Sequence, residues 1–375
     1  METRHLPLGR GDQKATHIAT KSGWVVSALC SKHDPFCWVV GATYVKAGGA
    51  QAFLKLIKSL DPGVPVATKV AGLSISPDGV VAVALSNDGI HQFVLCDPIT
   101  DYAGPRSLSL ASVQHVGDEV IRAFGWINNS THRHSMVVHS RQSSGRDRIA
   151  VYGHTTAEAS TKRDTLVECP ENNVQFFAAS PFGHVAFITP GTVQNYRTLT
   201  LLSTNDQDAV FQKSEIRVTN TDRTPCSLAV GNVYVVVGYA STPLQRDASA
   251  PLGWVEVYKT TLGGGLVTSR AIPDAEPTAV STYSTRVMVG ASHPQLYTWA
   301  AAQGASASES KSTLYCFSTK SDENFAICRG GEDHVRWEPG TITMTETSWA
   351  YSRSLKSADT GDVFTVVEHA SAVAI

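Results

Sequence analysis

This 375-residue chain has no Cys-x-x-Cys pair, no stretch of strong helix formers, and no apolar run near the ~18 residues that span a membrane. The first absence removes the usual zinc-ligand spacing. The second removes a helical bundle, because Val, Ser, Thr and Ala dominate where Leu, Glu and Lys would be needed. A basic excess is missing too. Lys and Arg total 31 against 33 Asp and Glu, a formal net charge of −2, which argues against a broad nucleic-acid surface. The opening METRHLPLGRGDQKATHIAT lacks the apolar core of a secretory signal, and Glu2 and Asp12 do not suit a transit peptide. The expected compartment is cytosol or nucleus. Apolar residues make up 42% and charged residues 17%, enough for a large core and too apolar for disorder.

What is present is a repeat. GLSISPDGVVAVAL carries Pro77 in a turn between two strand-like runs, QFFAASPFGHVAFI carries Pro181, and VRWEPGTITM carries Pro339. These prolines lie 104 and 158 residues apart, two and three times a unit of about 52. AFGWINNSTHRHSMVV puts Asn128 and Asn129 one unit after Pro77. Inner strands are expected to begin near Gly72, Ile121, Val174, Cys226 and Thr278. Each unit holds three or four short apolar or alternating runs bounded by Gly, Pro, Asn, Asp and Ser, which read as strands. The pattern predicts an all-β fold, a single seven-bladed β-propeller over 1–375. Its blades are expected near 23–66, 71–116, 120–169, 174–219, 226–272, 277–329 and 334–370. Residues 16–20 would join the last blade as its outer strand, since a ring left open exposes an edge. That leaves 1–15 as a mobile N-terminal segment. In the last blade SWAYSRS and DVFTVVEH compete for the third strand.

The SPDG and SPFG turns, with His334, Trp337, Glu338, Pro339 and Gly340 in EDHVRWEPG, resemble degenerate WD40 repeats, and Trp126 takes the comparable place in an earlier unit. The resemblance covers most of the chain in period and turn type. It departs from the family in having no Trp-Asp dipeptide, and Gly153-His154 and Gly183-His184 fall at other positions. The family's buried Asp–His–Ser/Thr–Trp network is therefore not expected, and packing is expected to hold the blades together.

Candidate chemistry is sparse. His132, His134 and His139 crowd one segment without a nearby carboxylate or Cys, and read as an exposed polar turn. SADTGDVF fits the Asp-box turn of sialidase propellers once, and reads as a polar turn opening the last strand. Arg10-Gly11-Asp12 carries no weight near a chain end. Gly263-Gly264-Gly265 has no following Lys-Ser/Thr, so it is a hairpin turn rather than a P-loop. Seven cysteines sit mostly in apolar runs as small hydrophobes; Cys316 and Cys328 flank one hairpin, but a reducing compartment argues against a bridge. No catalytic residue, metal or cofactor is expected, and the chain reads as not an enzyme.

Two insertions, Ser241–Gly253 and Ser292–Ser312, join second to third strands of successive blades. In WD40-like rings such loops share a face with the blade-to-blade connections. The resemblance gathers Leu244, Arg246, Leu296, Tyr297, Trp299, Arg141, Arg146 and Arg353 there. Aromatic residues and Arg favour binding hot spots. The expected function is a non-catalytic protein-interaction scaffold, a subunit of a nuclear-pore, coat, tethering or ribonucleoprotein assembly. The alternatives are a glycan-processing or glycan-binding propeller, and a peptide reader using the central channel.

Overall fold

The structure is a computed structural model. It describes the strands given below together with residues 76, 79–80, 119, 142–145, 173–175, 181–183, 191, 231–233, 251–252, 260–261, 263–265, 273, 275, 284–285, 319–320 and 337. No helix occurs among them. All the sheets are four-stranded and antiparallel. N-terminal to the others, β1 is Thr3–Leu6. One sheet holds β2 (Gln13–Lys21), β3 (Trp24–Ser31), β4 (Trp38–Lys46) and β5 (Gly49–Ile57). The next holds β6 (Lys69–Ile75), β7 (Val81–Asn87), β8 (Ile90–Cys96) and β9 (Leu110–His115). Then come β10 (Val120–Ile127), β11 (Ser135–Arg141), β12 (Arg146–Gly153) and β13 (Arg163–Glu171), followed by β14 (Phe176–Ser180), β15 (His184–Pro190), β16 (Arg197–Thr204) and β17 (Phe211–Val218). β18 (Arg223–Val230), β19 (Tyr234–Ser241), β20 (Gly253–Lys259) and β21 (Leu266–Ile272) form another, as do β22 (Glu276–Tyr283), β23 (Arg286–Ser292), β24 (Thr313–Ser318) and β25 (Asn324–Arg329). The last strands are β26 (Ile342–Met344), β27 (Ser348–Lys356) and β28 (Val363–Ser371).

Strands follow chain order within every sheet except the last, where β1 adds to β28 in the order β26-β27-β28-β1, and first strands stand beside first strands: β6 by β10, β10 by β14, β14 by β18, β18 by β22. That is a β-propeller. Second strands are covered on both faces by neighbouring blades, so they lose the alternation of a half-exposed strand. Val81, Ala82, Val83 and Ala84 are all fully buried, as are Val235, Val236 and Val237. In β21, a fourth strand, exposed and half-buried residues dominate. The core is a series of apolar layers between adjacent sheets. Ala84, Phe93, Trp126 and Met136 form one layer, and Leu199, Leu201, Val237 and Tyr239 another.

The repeated turns close alike. Gly79 N–H donates to Ser76 O at 3.0 Å, and Gly183 N–H donates to Ser180 O at 3.2 Å. Both glycines hold positive φ, 90° and 85°, where a Cβ would be strained. Trp126 ends β10 and Trp337 leads towards β26, and both are 1% exposed in layers between blades. Trp337 therefore precedes the strand β26, which begins at Ile342, rather than ending a strand as Trp126 does.

Three expectations need correction. Residues 16–20 are not the outer strand of the last sheet. They lie in β2 and pair with β3, Ile18 opposite Ser27, because the apolar run 24–31 would otherwise lack an inner partner. It is β1 that pairs with β28, Thr3 opposite Ala370, so part of the segment expected to be mobile is a strand. SWAYSRS and DVFTVVEH do not compete: they are β27 and β28, second and third in their sheet. Cys316 opposes Phe325 while Leu314 opposes Cys328, so the register does not set the two cysteines across from each other, and Cys316 is a free thiol. Burial pushes the Cys316 thiol up to about 11.

Candidate functional site

Turns between second and third strands lie on the face where the chain enters each new blade. Asp147, just after the β11–β12 turn, accepts the Val174 N–H at the entry to the next sheet, 3.0 Å away. At the end of β23, Ser292 Oγ accepts the Trp337 N–H at 2.9 Å, and Thr278 Oγ1 donates to Trp337 O. Next to Gly253, Leu252 N–H donates to Pro273 O at 3.1 Å. Ser227 Oγ donates to Pro277 O, with the Cys226 thiol on the same oxygen at 3.1 Å. Side chains thus fasten one blade to the main chain of the next. The expectation that packing alone holds the blades is corrected here, since hydrogen bonds share the work.

The richest polar group on this face joins β11 to β12. Register sets Arg141 opposite Asp147 and puts His139 on the same side of β11. His139 Nε2 stands 3.4 Å and Arg141 Nε 3.2 Å from Asp147 Oδ1. Asp147 is fully buried. Burial alone would raise its carboxyl; the His139 imidazole, the Val174 N–H and the Arg141 guanidinium outweigh that and hold it at about 2. His139, expected in an exposed turn, is instead 5% exposed in a strand, its ring 5.9 Å from that of Phe177. On the opposite side of the same hairpin Arg148 pairs with Glu119 at 3.0 Å, and Ser140 Oγ donates to Glu119 Oε2 at 2.6 Å.

A second group lies in the layer between the β14–β17 and β18–β21 sheets. Tyr258 OH donates to Glu256 Oε2 at 2.6 Å, and Tyr239 is buried beside them. Burial pushes both phenols above the ordinary tyrosine range, with Glu256 adding to the shift, so at neutral pH they are donors and not bases. Arg223 stacks on Trp254, its guanidinium carbon 3.4 Å from the ring centroid. Among the described residues no cluster of His, Cys, Asp and Glu can hold a metal ion.

Arg141 and Arg146 flank the β11–β12 turn on the blade-entry face, Arg141 tied to Asp147 and Arg146 exposed. Arg353 lies in β27, opposite Val366, with its side chain outside the description. Leu244, Arg246, Leu296, Tyr297 and Trp299 fall outside the described residues, as do His132 and His134. Sequence reasoning missed Asp147 and Glu119. The signal was the alternation Val137-His139-Arg141 facing Asp147-Ile149-Val151 across a short turn ending in Gly145.

No family model and no curated protein matches this sequence. Solved structures do. The chain is similar to the polysaccharide lyase Uly1, with a TM-score of 0.55 and 9% identity over 96% of this chain and 90% of that one. It is similar to the β-propeller domain of the Trilobed protease from Pyrococcus furiosus, which has an open velcro topology (TM-score 0.53, 10% identity, 94% and 95% covered). It is similar to the acylaminoacyl peptidase of Pyrococcus horikoshii (TM-score 0.55, 11% identity, 96% covered), of which it spans about half, 52%.

These likenesses show the fold. They also overturn the expectation that the chain is not an enzyme, because propellers of this shape occur in a lyase, a protease and a peptidase. An absence of catalytic motifs in strands and turns does not exclude catalysis from such a fold. Among the described residues no helix is long and apolar enough to cross a membrane.

Proposed function

We propose that this protein binds a protein partner through its blade-entry face, as a subunit of a larger assembly in the cytosol or nucleus. The observation that carries the reading is the position of Ser241 and Ser292. Each ends a second strand beside a blade entry, so the long connections 241–253 and 292–313 start from the face that also bears Arg141 and Arg146. Loops fixed on a rigid scaffold are common binding elements. The sheets are read as one ring of seven WD40-like blades, supported by the contact of β26 with β2 and by β1 lying on β28.

The test is co-purification. Replacing 293–312 by a short Gly/Ser turn, or Arg246, Tyr297 and Trp299 together by Ala, is expected to remove partners recovered with the tagged chain while leaving its melting temperature unchanged. Full recovery of every partner by both variants would refute this interface.

A second reading is a glycan-processing or glycan-binding propeller. Near full-length likeness to a polysaccharide lyase favours it, as does the guanidinium–indole pair Arg223–Trp254 at the start of β18 and β20. Incubation with a panel of neutral and acidic polysaccharides tests it. New reducing or unsaturated chain ends, or retention on an immobilised glycan, would support it; neither across the panel would remove it.

A further inference from the structure

On the face opposite the blade entries, turns between first and second strands of three successive blades meet. Phe182 lies in the β14–β15 turn, Asn232 and Val233 in the β18–β19 turn, and Ser284 and Thr285 in the β22–β23 turn. Phe182 and Val233 are two of the large apolar side chains exposed among the described residues, and the Phe182 ring stands edge to face against Tyr283. The Ser284-Thr285 turn is pinned on three sides. Ser284 N–H donates to Asn232 Oδ1 at 2.7 Å, Thr319 N–H donates to Thr285 O at 2.8 Å, and Thr282 Oγ1 donates to Arg286 O at 2.9 Å. Ser284 nonetheless holds φ at 53°, alone among the described non-glycine residues in the left-handed region. A two-residue turn with positive φ at its first position favours glycine there, so serine adds strain. Its hydroxyl makes no hydrogen bond to a described residue that would offset this.

Thr285 Oγ1 and the Asn232 carboxamide nitrogen are likewise without a partner among the described residues. So is the Arg286 guanidinium, which is half-buried, and register sets Arg286 directly opposite Tyr283 on the same face of the hairpin. Burial holds the His184 imidazole, beside the Asn232 main chain, below its ordinary value, which leaves Arg286 as the half-buried cation of this group at neutral pH. We propose that this junction binds an acidic oligosaccharide. The C–H face of one pyranose lies on Phe182, a uronate carboxylate meets Arg286, and ring hydroxyls bond to Ser284, Thr285 and Asn232. An exposed aromatic ring beside a few fixed polar groups suits a ring that is apolar on its face and polar at its edge. A guanidinium with no protein anion selects the carboxylate, which fits its planar fork. A nucleoside triphosphate would bring more charge than one guanidinium balances. This site rests on the glycan reading given above and lies on the opposite face from Arg223 and Trp254.

The probes are trigalacturonate and trimannuronate, their methyl esters, maltotriose and ATP, each titrated into the full chain by isothermal calorimetry. Saturable binding of at least one oligouronate is expected, about tenfold or more tighter than that of its ester. Arg286→Gln should remove this preference for the free acid, and Phe182→Ala should weaken acid and ester alike. Ser284→Gly separates the site from the fold. Glycine relieves the turn, so the melting temperature should hold or rise while oligouronate affinity falls. Binding unchanged in the Arg286 and Phe182 variants, or equal affinity for acid and ester, would overturn this site while a glycan propeller still stood. Retention of neutral glycans without oligouronate binding would do the same. ATP bound more tightly than either oligouronate would overturn the saccharide assignment. No saccharide bound in these titrations or on the polysaccharide panel would remove both the site and the glycan reading.

Discussion

Phe182 and Tyr283 stand edge to face with ring centroids 5.7 Å apart, although a whole blade separates their strands in sequence. Each sits at a turn between a first and a second strand, and between them Asn232 Oδ1 accepts the Ser284 N–H at 2.7 Å from the intervening blade. Phe182 is 44% exposed and Val233 38%. Turns from three successive blades therefore converge on the face opposite the blade entries. Aromatic pairs of this geometry couple by about 0.5–1.5 kcal/mol. A double-mutant cycle with Phe182→Ala and Tyr283→Ala, read by urea unfolding, is expected to return a coupling in that range. Additive losses would mean the rings do not meet in solution.

Asp147 gives a pH signature. Folding lowers its pKa from the ordinary 3.8 to about 2, so the native state binds the proton less readily than the unfolded chain. Its stabilisation is therefore complete above about pH 4 and is lost as pH falls towards 2, a change of about 2 kcal/mol. Asp147→Asn should be less stable than the parent at pH 6, and the gap should narrow steadily between pH 4 and 2. A gap independent of pH would exclude the ionised carboxylate as its source.

Trp126→Ala and Trp337→Ala should each cost about 3–5 kcal/mol, since both rings are buried between blades. Losses below about 1 kcal/mol at both sites in chemical denaturation would contradict the layer packing.

Gly290 lies under the Trp337 ring. A Cβ there would come within 2.6 Å of the indole Cγ and 2.7 Å of the Trp337 Cβ, neither of which is a flexible tip. Gly290→Ala should destabilise by about 1–3 kcal/mol through overpacking. Combined with Trp337→Ala, the penalty should shrink but persist, because the alanine keeps the Cβ that stands 2.7 Å away.

Removal of residues 1–8 takes away β1 and leaves β28 without that edge partner. Lower solubility and a broader thermal transition are expected, with light scattering as the check. An unchanged, equally sharp transition would show that the β1–β28 pairing adds nothing to stability.

Architecture was readable because the 52-residue step has physical counterparts. The Trp126 indole N–H donates to Ser74 O, and Asn232 bonds Ser284; each pair is 52 residues apart. Turn chemistry at Gly79 and Gly183 was equally plain. The N-terminal pairing was misread because residues 16–20 and 3–6 are both short and half polar, and only register distinguishes them. The Asp147 group was hidden for another reason. Its members are scattered through a hairpin whose face assignment depends on register, and a His–Asp–Arg set reads in sequence as polar residues facing water. Arg141 appeared to be a free anchor until Asp147 was seen opposite it.

The side chains that bind blade to blade grip peptide groups: Val174 N–H, Pro277 O, Trp337 N–H and O. Nearly any residue brings the same carbonyl, and all but proline the same N–H. Substitution on the receiving side therefore leaves the joint intact, while the gripping residue differs from unit to unit: Asp147, Ser227, Thr278 and Ser292. Blades joined this way keep a common pitch although their sequences differ.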